Sequence, residues 1–212
     1  MPDENQQEAQ FLTTEHFVLQ TARTGTIQEG IGRANLFVAS VSSATVTLGF
    51  VAQVTQMGEA FHVFALIILP SLYFIGIVTF VRSVQVAIED MVHARGMARI
   101  RHYFVERSPG VRPYLMHSPH DDYRGTLSSF GFPLTGLQSF MTTAGMVNVI
   151  SSVIAGVFVA LTIKSASSLP PWTFTLAGII GFFASVSVCR QYQVRAWTRA
   201  EQNLAVLFPS EE

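Results

Sequence analysis

The residues best suited to chemistry lie in one short polar stretch that reads His117-Ser-Pro-His120-Asp121-Asp122. Two imidazoles three residues apart, followed by two carboxylates, are ligand types that hold a divalent transition metal. We therefore consider a weak metal site formed by His117, His120, Asp121 and Asp122. The competing interpretation, a polar solvated loop that binds nothing, is favoured, because the chain has only 6 histidines and membrane di-iron enzymes need several such clusters.

Other catalytic signatures are missing from the sequence. No Gly-rich phosphate loop, nucleophile elbow or His-Glu-x-x-His motif occurs. The stretch Asp90-Met-Val-His-Ala94-Arg95 partly resembles the start of the phospholipid head-group transferase motif, but the glycine and the later aspartates of that motif are absent. The single Cys189 excludes an internal disulfide and multi-cysteine metal sites. We assign no catalytic residue, expect no cofactor and predict that the protein is not an enzyme.

The distribution of charged residues along the chain indicates which segments span a membrane. Charged side chains make up 13% of the chain, against roughly 25% in soluble domains. Four long windows contain no Asp, Glu, Lys or Arg: residues 34–58, 60–81, 125–163 and 165–189. Because about 20 apolar residues cross a hydrocarbon core of roughly 30 Å, each window is long enough to span a membrane. The predicted spans are residues 35–54, 61–81, 143–163 and 173–189.

Small and hydroxyl-bearing residues recur within three of the four predicted spans. Such side chains allow helices to approach closely, and they could equally line a polar pore. The spans contain no ionisable residue except His62 at an edge, which argues against ion-coupled transport. The candidates for pore lining or helix packing are Asn148, Ser40, Ser43, Thr47, Ser152 and Gly156.

Seven arginines lie in the polar segment between the two pairs of apolar windows. Three of them, Arg95, Arg99 and Arg101, lie in a basic amphipathic stretch that suits lipid head groups or a partner protein. No aromatic interleaving suits nucleic acid, so we expect no nucleic-acid partner. Of the 13 Lys and Arg residues, only Lys164 lies in a short turn between two spans. The positive-inside rule therefore predicts that both termini and the central segment lie in the cytoplasm.

Outside the spans the sequence predicts mostly helical extensions. We expect residues 1–12 to be frayed, a helix over 14–33, a kink at Pro70, and an irregular apolar segment over 125–140. Beyond the last span, four apolar residues follow each other at spacings of three and four and predict a narrow helical seam for an oligomer: Trp197, Ala200, Leu204 and Leu207. The predicted segments are residues 1–33, 34–81, 82–141, 142–189 and 190–212.

The predicted fold is all-α, a polytopic membrane protein with four transmembrane helices in two hairpins and cytoplasmic helical extensions. We expect a homo-oligomer in the bacterial inner membrane, with both termini inside. The leading hypothesis is a non-enzymatic channel-like or effector-type protein, gated through its cytoplasmic helices. Its layout, rather than any motif, is similar to the small multi-pass effectors found beside bacterial immune signalling enzymes. The alternatives are a scaffold that docks a soluble partner on the arginine-rich segment, and a metal-dependent enzyme that uses residues 117–122.

Overall fold

The computed structural model describes residues 4–128, 141–166 and 169–210, and every regular element within them is helical, as predicted. In chain order these residues form α1 (Glu4–Val54), α2 (Glu59–Arg107), a 3₁₀ turn (Pro109–Tyr114), α3 (Tyr123–Ser128), α4 (Thr143–Ala166) and α5 (Pro171–Asn203). Four of the helices, α1, α2, α4 and α5, are long and apolar enough to cross a membrane, which confirms the predicted number of spans. Their pairing into hairpins and their orientation stay predictions.

Helix α1 begins earlier than predicted. Residues 4–12 are helical and continue without a break into the first span. Residues 4–12 are rich in Glu and Gln, which favour a helix, whereas Gly25, Gly30 and Gly32 further along α1 weaken it, so tertiary contacts must add stability there. The Glu8 carboxylate accepts hydrogen bonds from Tyr103 and Arg107, both at 2.7 Å. A Cβ added to Gly96 would lie 3.0 Å from Leu19, so α1 and α2 pack closely there.

Helix α2 is also longer than its apolar run. It remains helical on both sides of Pro70 and extends past Arg82 to Arg107. The turn before it carries two residues in the left-handed region, Gln56 with φ 49° and Met57 with φ 56°. The Met57 N–H donates to the Ala52 carbonyl at 3.0 Å and so satisfies one of the last free carbonyls of α1.

The apolar stretches belong to one compact unit, which comprises residues 30–84 and 137–197 and is called the apolar unit below. Helices α1, α2 and α4 meet at Phe37, Gly76 and Ser151. A Cβ on Gly76 would overlap the Ser151 hydroxyl and lie 3.0 Å from the Phe37 ring, so no larger residue fits there. Other almost fully buried side chains of this unit are Phe80, Val84, Val147, Asn148 and Ser152.

Helices α4 and α5 of the apolar unit approach each other through small residues. A Cβ added to Gly156 would lie 2.7 Å from the Gly178 carbonyl oxygen, so the two backbones are nearly in contact. The Ser152 hydroxyl donates to the Ser185 hydroxyl at 3.0 Å across the same interface. The small-residue faces predicted on these two helices therefore pack against each other within one chain, and no second copy is needed to cover them.

The remaining segments form a second compact unit, which comprises residues 1–29, 85–136 and 198–212 and is called the arginine unit below. Its apolar core comes from α2, with Met91, Met97, Ala98 and Ile100 buried. Arg95 and Asp121 are buried beside this apolar core, although both carry charge. The irregular apolar segment predicted over 125–140 lies outside the described residues from residue 129 onward, and its first four residues belong to α3.

Candidate functional site

Asp121 organises the arginine unit. Its side chain is fully buried, and its carboxylate accepts hydrogen bonds from the Phe208 N–H at 2.8 Å and the Leu207 N–H at 3.1 Å. The Arg99 guanidinium adds an ion pair at 2.7 Å. Burial by itself raises the pKa of Asp121, but the two backbone N–H groups and Arg99 outweigh burial and hold the pKa below its ordinary value. Asp121 is therefore an ionised anchor for the C-terminal tail.

Asp122 makes a second attachment to the same tail. Its carboxylate accepts a hydrogen bond from the Gly125 N–H at 2.8 Å at the start of α3 and another from the Ser210 hydroxyl. Burial raises the pKa of Asp122, yet the bonds from Ser210 and Gly125 lower it below the ordinary value overall. The carboxylates of Asp121 and Asp122, both in the predicted metal stretch, thus accept hydrogen bonds from donors within the protein.

The predicted metal ligands are not brought together as a metal site. Among residues 4–128, 141–166 and 169–210, no three His, Cys, Asp or Glu side chains are placed to share an ion. His117 lines a separate cavity, and the His120 ring lies 6.2 Å from the ring of His102. The weak metal hypothesis therefore gains no support, because the donor bonds to Asp121 and Asp122 compete with coordination.

Arg95 was predicted to contact lipid head groups or a partner, but the structure places it inside the arginine unit. Only 1% of Arg95 is exposed, and its Nη2 donates to both carboxylate oxygens of Glu201, at 2.6 Å and 2.5 Å. Its Nε and Nη1 are buried without a hydrogen-bond partner in the described part of the chain. The Glu201 carboxylate, near the end of α5, neutralises a charge that could not otherwise be buried. Arg99 keeps about a third of its side chain exposed but is engaged with Asp121.

Arg101, the third predicted surface arginine, borders a small cavity. The cavity has a volume of about 70 Å³ and is lined by Arg23, Ala94, Ala98, Arg101, His117, Gly125 and Thr126. Arg101 donates to the Ser118 carbonyl at 2.7 Å, whereas Arg23 forms an ion pair with Asp90 at 2.6 Å. Burial lowers the pKa of Arg101, and the charge of Arg23 lowers it further. Burial also lowers the pKa of His117, with Arg101 and Arg23 adding to the effect.

The predicted pore or packing residues divide into two groups within the apolar unit. Asn148, Ser152 and Gly156 are buried. The Ser152 hydroxyl lies 3.2 Å from the side-chain oxygen Oδ1 of Asn148 and 3.0 Å from the hydroxyl of Ser185. This arrangement is the interhelical packing that the sequence offered as one of two readings. The second group, Ser40, Ser43 and Thr47, is exposed on α1.

The predicted C-terminal seam is shorter than expected. Helix α5 ends at Asn203, so Leu204 and Leu207 do not continue the helical stripe from Trp197 and Ala200. Leu207 is 56% exposed, and its N–H is held by Asp121. The helix stops because the following residues use their backbone to bind Asp121 instead of continuing the helical hydrogen bonds. The helical part of the predicted seam therefore comprises Trp197 and Ala200, and its role in an oligomer stays a prediction.

Sequence reasoning missed Arg23, Asp90 and Glu201. Glu201 lies 106 residues from Arg95, and Asp90 lies 67 residues from Arg23, so no local pattern connects either pair. The sequence offered one weak signal for these pairs, namely that each charged residue lies on a helix that also carries an apolar face. Comparison of the chain with protein-family models, curated proteins and solved structures gives no match.

Proposed function

We propose that this chain is a multi-pass protein of the bacterial inner membrane that assembles through α1 into a non-enzymatic, channel-like homo-oligomer. The observation that supports the proposal is that the rest of the chain covers very little of the apolar part of α1. Only 6% of the most apolar window of α1 is buried, against 33% for α2 and for α4. A span that its own chain covers so little must be covered by lipid or by another copy.

The exposed face of α1 favours another copy. Six exposed residues follow one another at alternating spacings of four and three, as in a coiled-coil seam: Leu36, Ser40, Ser43, Thr47, Phe50 and Val54. The three central members are small and hydroxyl-bearing, which lowers their preference for lipid and allows close helix approach. A ring of α1 helices would place these hydroxyls near one axis.

The hydroxyls of this seam suit a polar axis inside a membrane. Ser40 donates to the Leu36 carbonyl at 2.8 Å, and Thr47 donates to the Ser43 carbonyl at 2.9 Å. The hydroxyl protons of Ser40 and Thr47 are thereby satisfied within the helix, which lowers the cost of placing these two residues in a membrane. The oxygens keep lone pairs that can face water or a passing ion.

The arginine unit would supply the gate. Helices α1 and α2 each contribute residues to both compact units, so a rearrangement in the arginine unit has two covalent connections to the spans. The C-terminal tail is held there by Asp121, and the end of α5 is held by the Arg95–Glu201 pair. Eight of the twelve arginines belong to this unit, whereas the single lysine, Lys164, lies in the last turn of α4, and this uneven distribution supports placing the arginine unit in the cytoplasm.

The scaffold alternative receives less support. It requires Arg95, Arg99 and Arg101 to be available to a soluble partner, whereas Arg95 is buried and Arg99 binds Asp121. A partner would have to displace these internal bonds before it could use the arginines.

Planar-bilayer recording of the purified chain tests the proposal. We expect current from the wild-type chain, or from an Asp121→Asn chain whose tail is released, and we expect Ser43→Phe to abolish it. The matched control is Ser71→Phe, because Ser71, like Ser43, is an exposed serine on a long apolar helix, here α2. Absence of current from wild type and Asp121→Asn at all voltages would contradict the pore. Equal loss in both phenylalanine variants would contradict α1 as its lining.

A further inference from the structure

We infer that the cavity between Arg23, Arg101 and His117 is a binding site for one phosphoryl group. This inference goes beyond the proposed pore and is independent of it, since the site lies within the arginine unit and its occupancy can be measured without any conductance.

The cavity has the size of a single tetrahedral oxyanion. Its volume of about 70 Å³ is several times the roughly 10–15 Å³ that one ordered water needs. It is too small for a nucleoside or a sugar, so only the charged group of a larger ligand would enter. The walls between the polar residues are Ala94 and Ala98, whose short side chains leave that space open.

The charge around the cavity favours an anion. Arg23 is paired with Asp90, but Arg101 has a backbone carbonyl as its hydrogen-bond partner and no carboxylate within ion-pair distance in the described part of the chain. The two acids of the loop before α3 are engaged elsewhere, Asp121 with Arg99 and Asp122 with Gly125 and Ser210. One guanidinium charge therefore remains without a counter-ion at a half-buried position, and an anion would stabilise it.

The donors around the cavity favour a phosphoryl group over a carboxylate. They come from three separate segments, since Arg23 lies on α1, Arg101 on α2 and His117 in the loop before α3. A carboxylate offers two oxygens in one plane, whereas a phosphoryl group offers at least three in different directions. Guanidinium forks bind such oxygens by charge-assisted hydrogen bonds, and a neutral His117 can add one further N–H donor.

The loop that closes the cavity is built to hold this shape. A Cβ added to Gly125 would lie 2.5 Å from the His120 carbonyl oxygen and 2.7 Å from the Asp122 carboxylate. Residues 120–125 therefore pack tightly against each other, and the part of the cavity wall formed by Gly125 is fixed by the backbone.

Isothermal titration of the full chain in detergent with inorganic phosphate tests the site. We expect one saturable site per chain, weakened roughly 10- to 100-fold by Arg101→Gln, because a lost charge-assisted hydrogen bond has that effect on affinity. The matched control is Arg112→Gln, since Arg112 is exposed on the 3₁₀ turn of the same unit. It should leave the affinity within about twofold.

A second arm identifies the source of the phosphoryl group. The chain is placed in phosphatidylcholine nanodiscs with and without phosphatidic acid, and its thermal unfolding temperature is measured. Stronger stabilisation by phosphatidic acid than by inorganic phosphate assigns the site to a lipid head group, and stronger stabilisation by inorganic phosphate assigns it to a soluble ligand. Either result supports the site, and no effect of either ligand on the wild-type chain overturns it.

A spectroscopic readout removes the dependence on the folding of the variants. In the wild-type chain with ¹⁵N-labelled histidine, ligand should shift the ring signals of His117 and leave those of His16 unchanged. Equal binding by wild type and a folded Arg101→Gln chain, or saturable binding without a shift at His117, would overturn the inference.

Discussion

The carboxylate of Asp121 has no contact with solvent and receives two backbone N–H groups and one guanidinium. These three donors come from α2 and from the C-terminal tail, so one side chain joins segments that are 86 residues apart. Hydrogen bonds to a charged acceptor contribute more than those to a neutral one. The residue that the sequence offered as a metal ligand is thus, in the structure, a tail anchor.

Replacement of Asp121 by Asn should release the tail. The amide keeps the shape of the side chain but removes its charge and replaces one acceptor oxygen by a donor, so the free energy of unfolding should fall by about 2–3 kcal/mol. Hydrogen exchange at Leu207 and Phe208 should accelerate. The control is Glu106→Gln, an exposed acid on α2, which should change neither quantity. Unchanged exchange in Asp121→Asn would show that the anchor does not hold the tail.

The same bonds predict how stability depends on pH. The pKa of Asp121 is lower in the folded chain than in the unfolded chain, so the unfolded chain takes up a proton first on acidification. The stabilising contribution is complete above the ordinary carboxyl pKa of about 3.9 and is lost as the pH falls through the lower folded value. Unfolding measured from pH 7 to pH 2 should therefore show a loss below about pH 4 that is smaller in Asp121→Asn. An equal acid loss in both chains would contradict this.

Arg95 shows why residue type alone misled the assignment. A basic residue on an amphipathic helix usually faces solvent or lipid head groups. Here the Glu201 carboxylate on α5 forms an ion pair with Arg95. The pair offsets the cost of burying the guanidinium charge, so Arg95 is an internal residue. Its remaining unpaired Nε and Nη1 mean that removing Glu201 would leave a buried, uncompensated charge.

Among the helices, α4 and α5 differ from α1 in how they use small residues. Gly156 and Gly178 bring the backbones of α4 and α5 together within the chain. Gly49 on α1, in contrast, has no atom within 4 Å of an added Cβ. Small residues therefore form an internal interface between α4 and α5, whereas on α1 they leave an uncovered surface.

Replacing Gly156 or Gly49 by alanine distinguishes the internal α4–α5 interface from the uncovered surface of α1. Gly156→Ala should lower the stability of the chain in detergent by about 1–3 kcal/mol, because the methyl group meets a backbone carbonyl that cannot move aside. Gly49→Ala should be neutral or slightly stabilising, since alanine favours the helix and meets nothing. Thermal unfolding followed by circular dichroism measures both. Equal tolerance at the two sites would contradict the close approach of α4 and α5.

For the chain as a whole, the basic residues and the four spans define a topology that can be tested. In a Cys189→Ser background, Lys164→Cys should react with an impermeant maleimide added to intact cells, whereas Arg112→Cys should react only after permeabilisation. Both positions are exposed, so access to the reagent is limited by the membrane alone. Labelling of both from the same side would contradict the proposed threading.

The apolar stretches could be predicted from the sequence because hydrophobicity is a local property. Windows of about 20 uncharged residues identified all four long apolar helices, and residues 61–81 and 143–163 lie within α2 and α4 as expected. Helix ends were less predictable. Residues 4–12 of α1 and residues beyond Asn203 departed from expectation because their conformation depends on tertiary partners of Glu8 and Asp121.

What the sequence determined by itself was the number and type of the apolar helices and the uneven distribution of arginine, since both follow from composition along a short window. What only the tertiary structure decided was the use of each polar side chain. Arg95 and Glu201 are 106 residues apart, and the cavity beside Arg101 draws on three segments, so neither leaves a periodic pattern in the chain. Such pairings depend on which surfaces fold against each other, and a linear pattern carries no information about that.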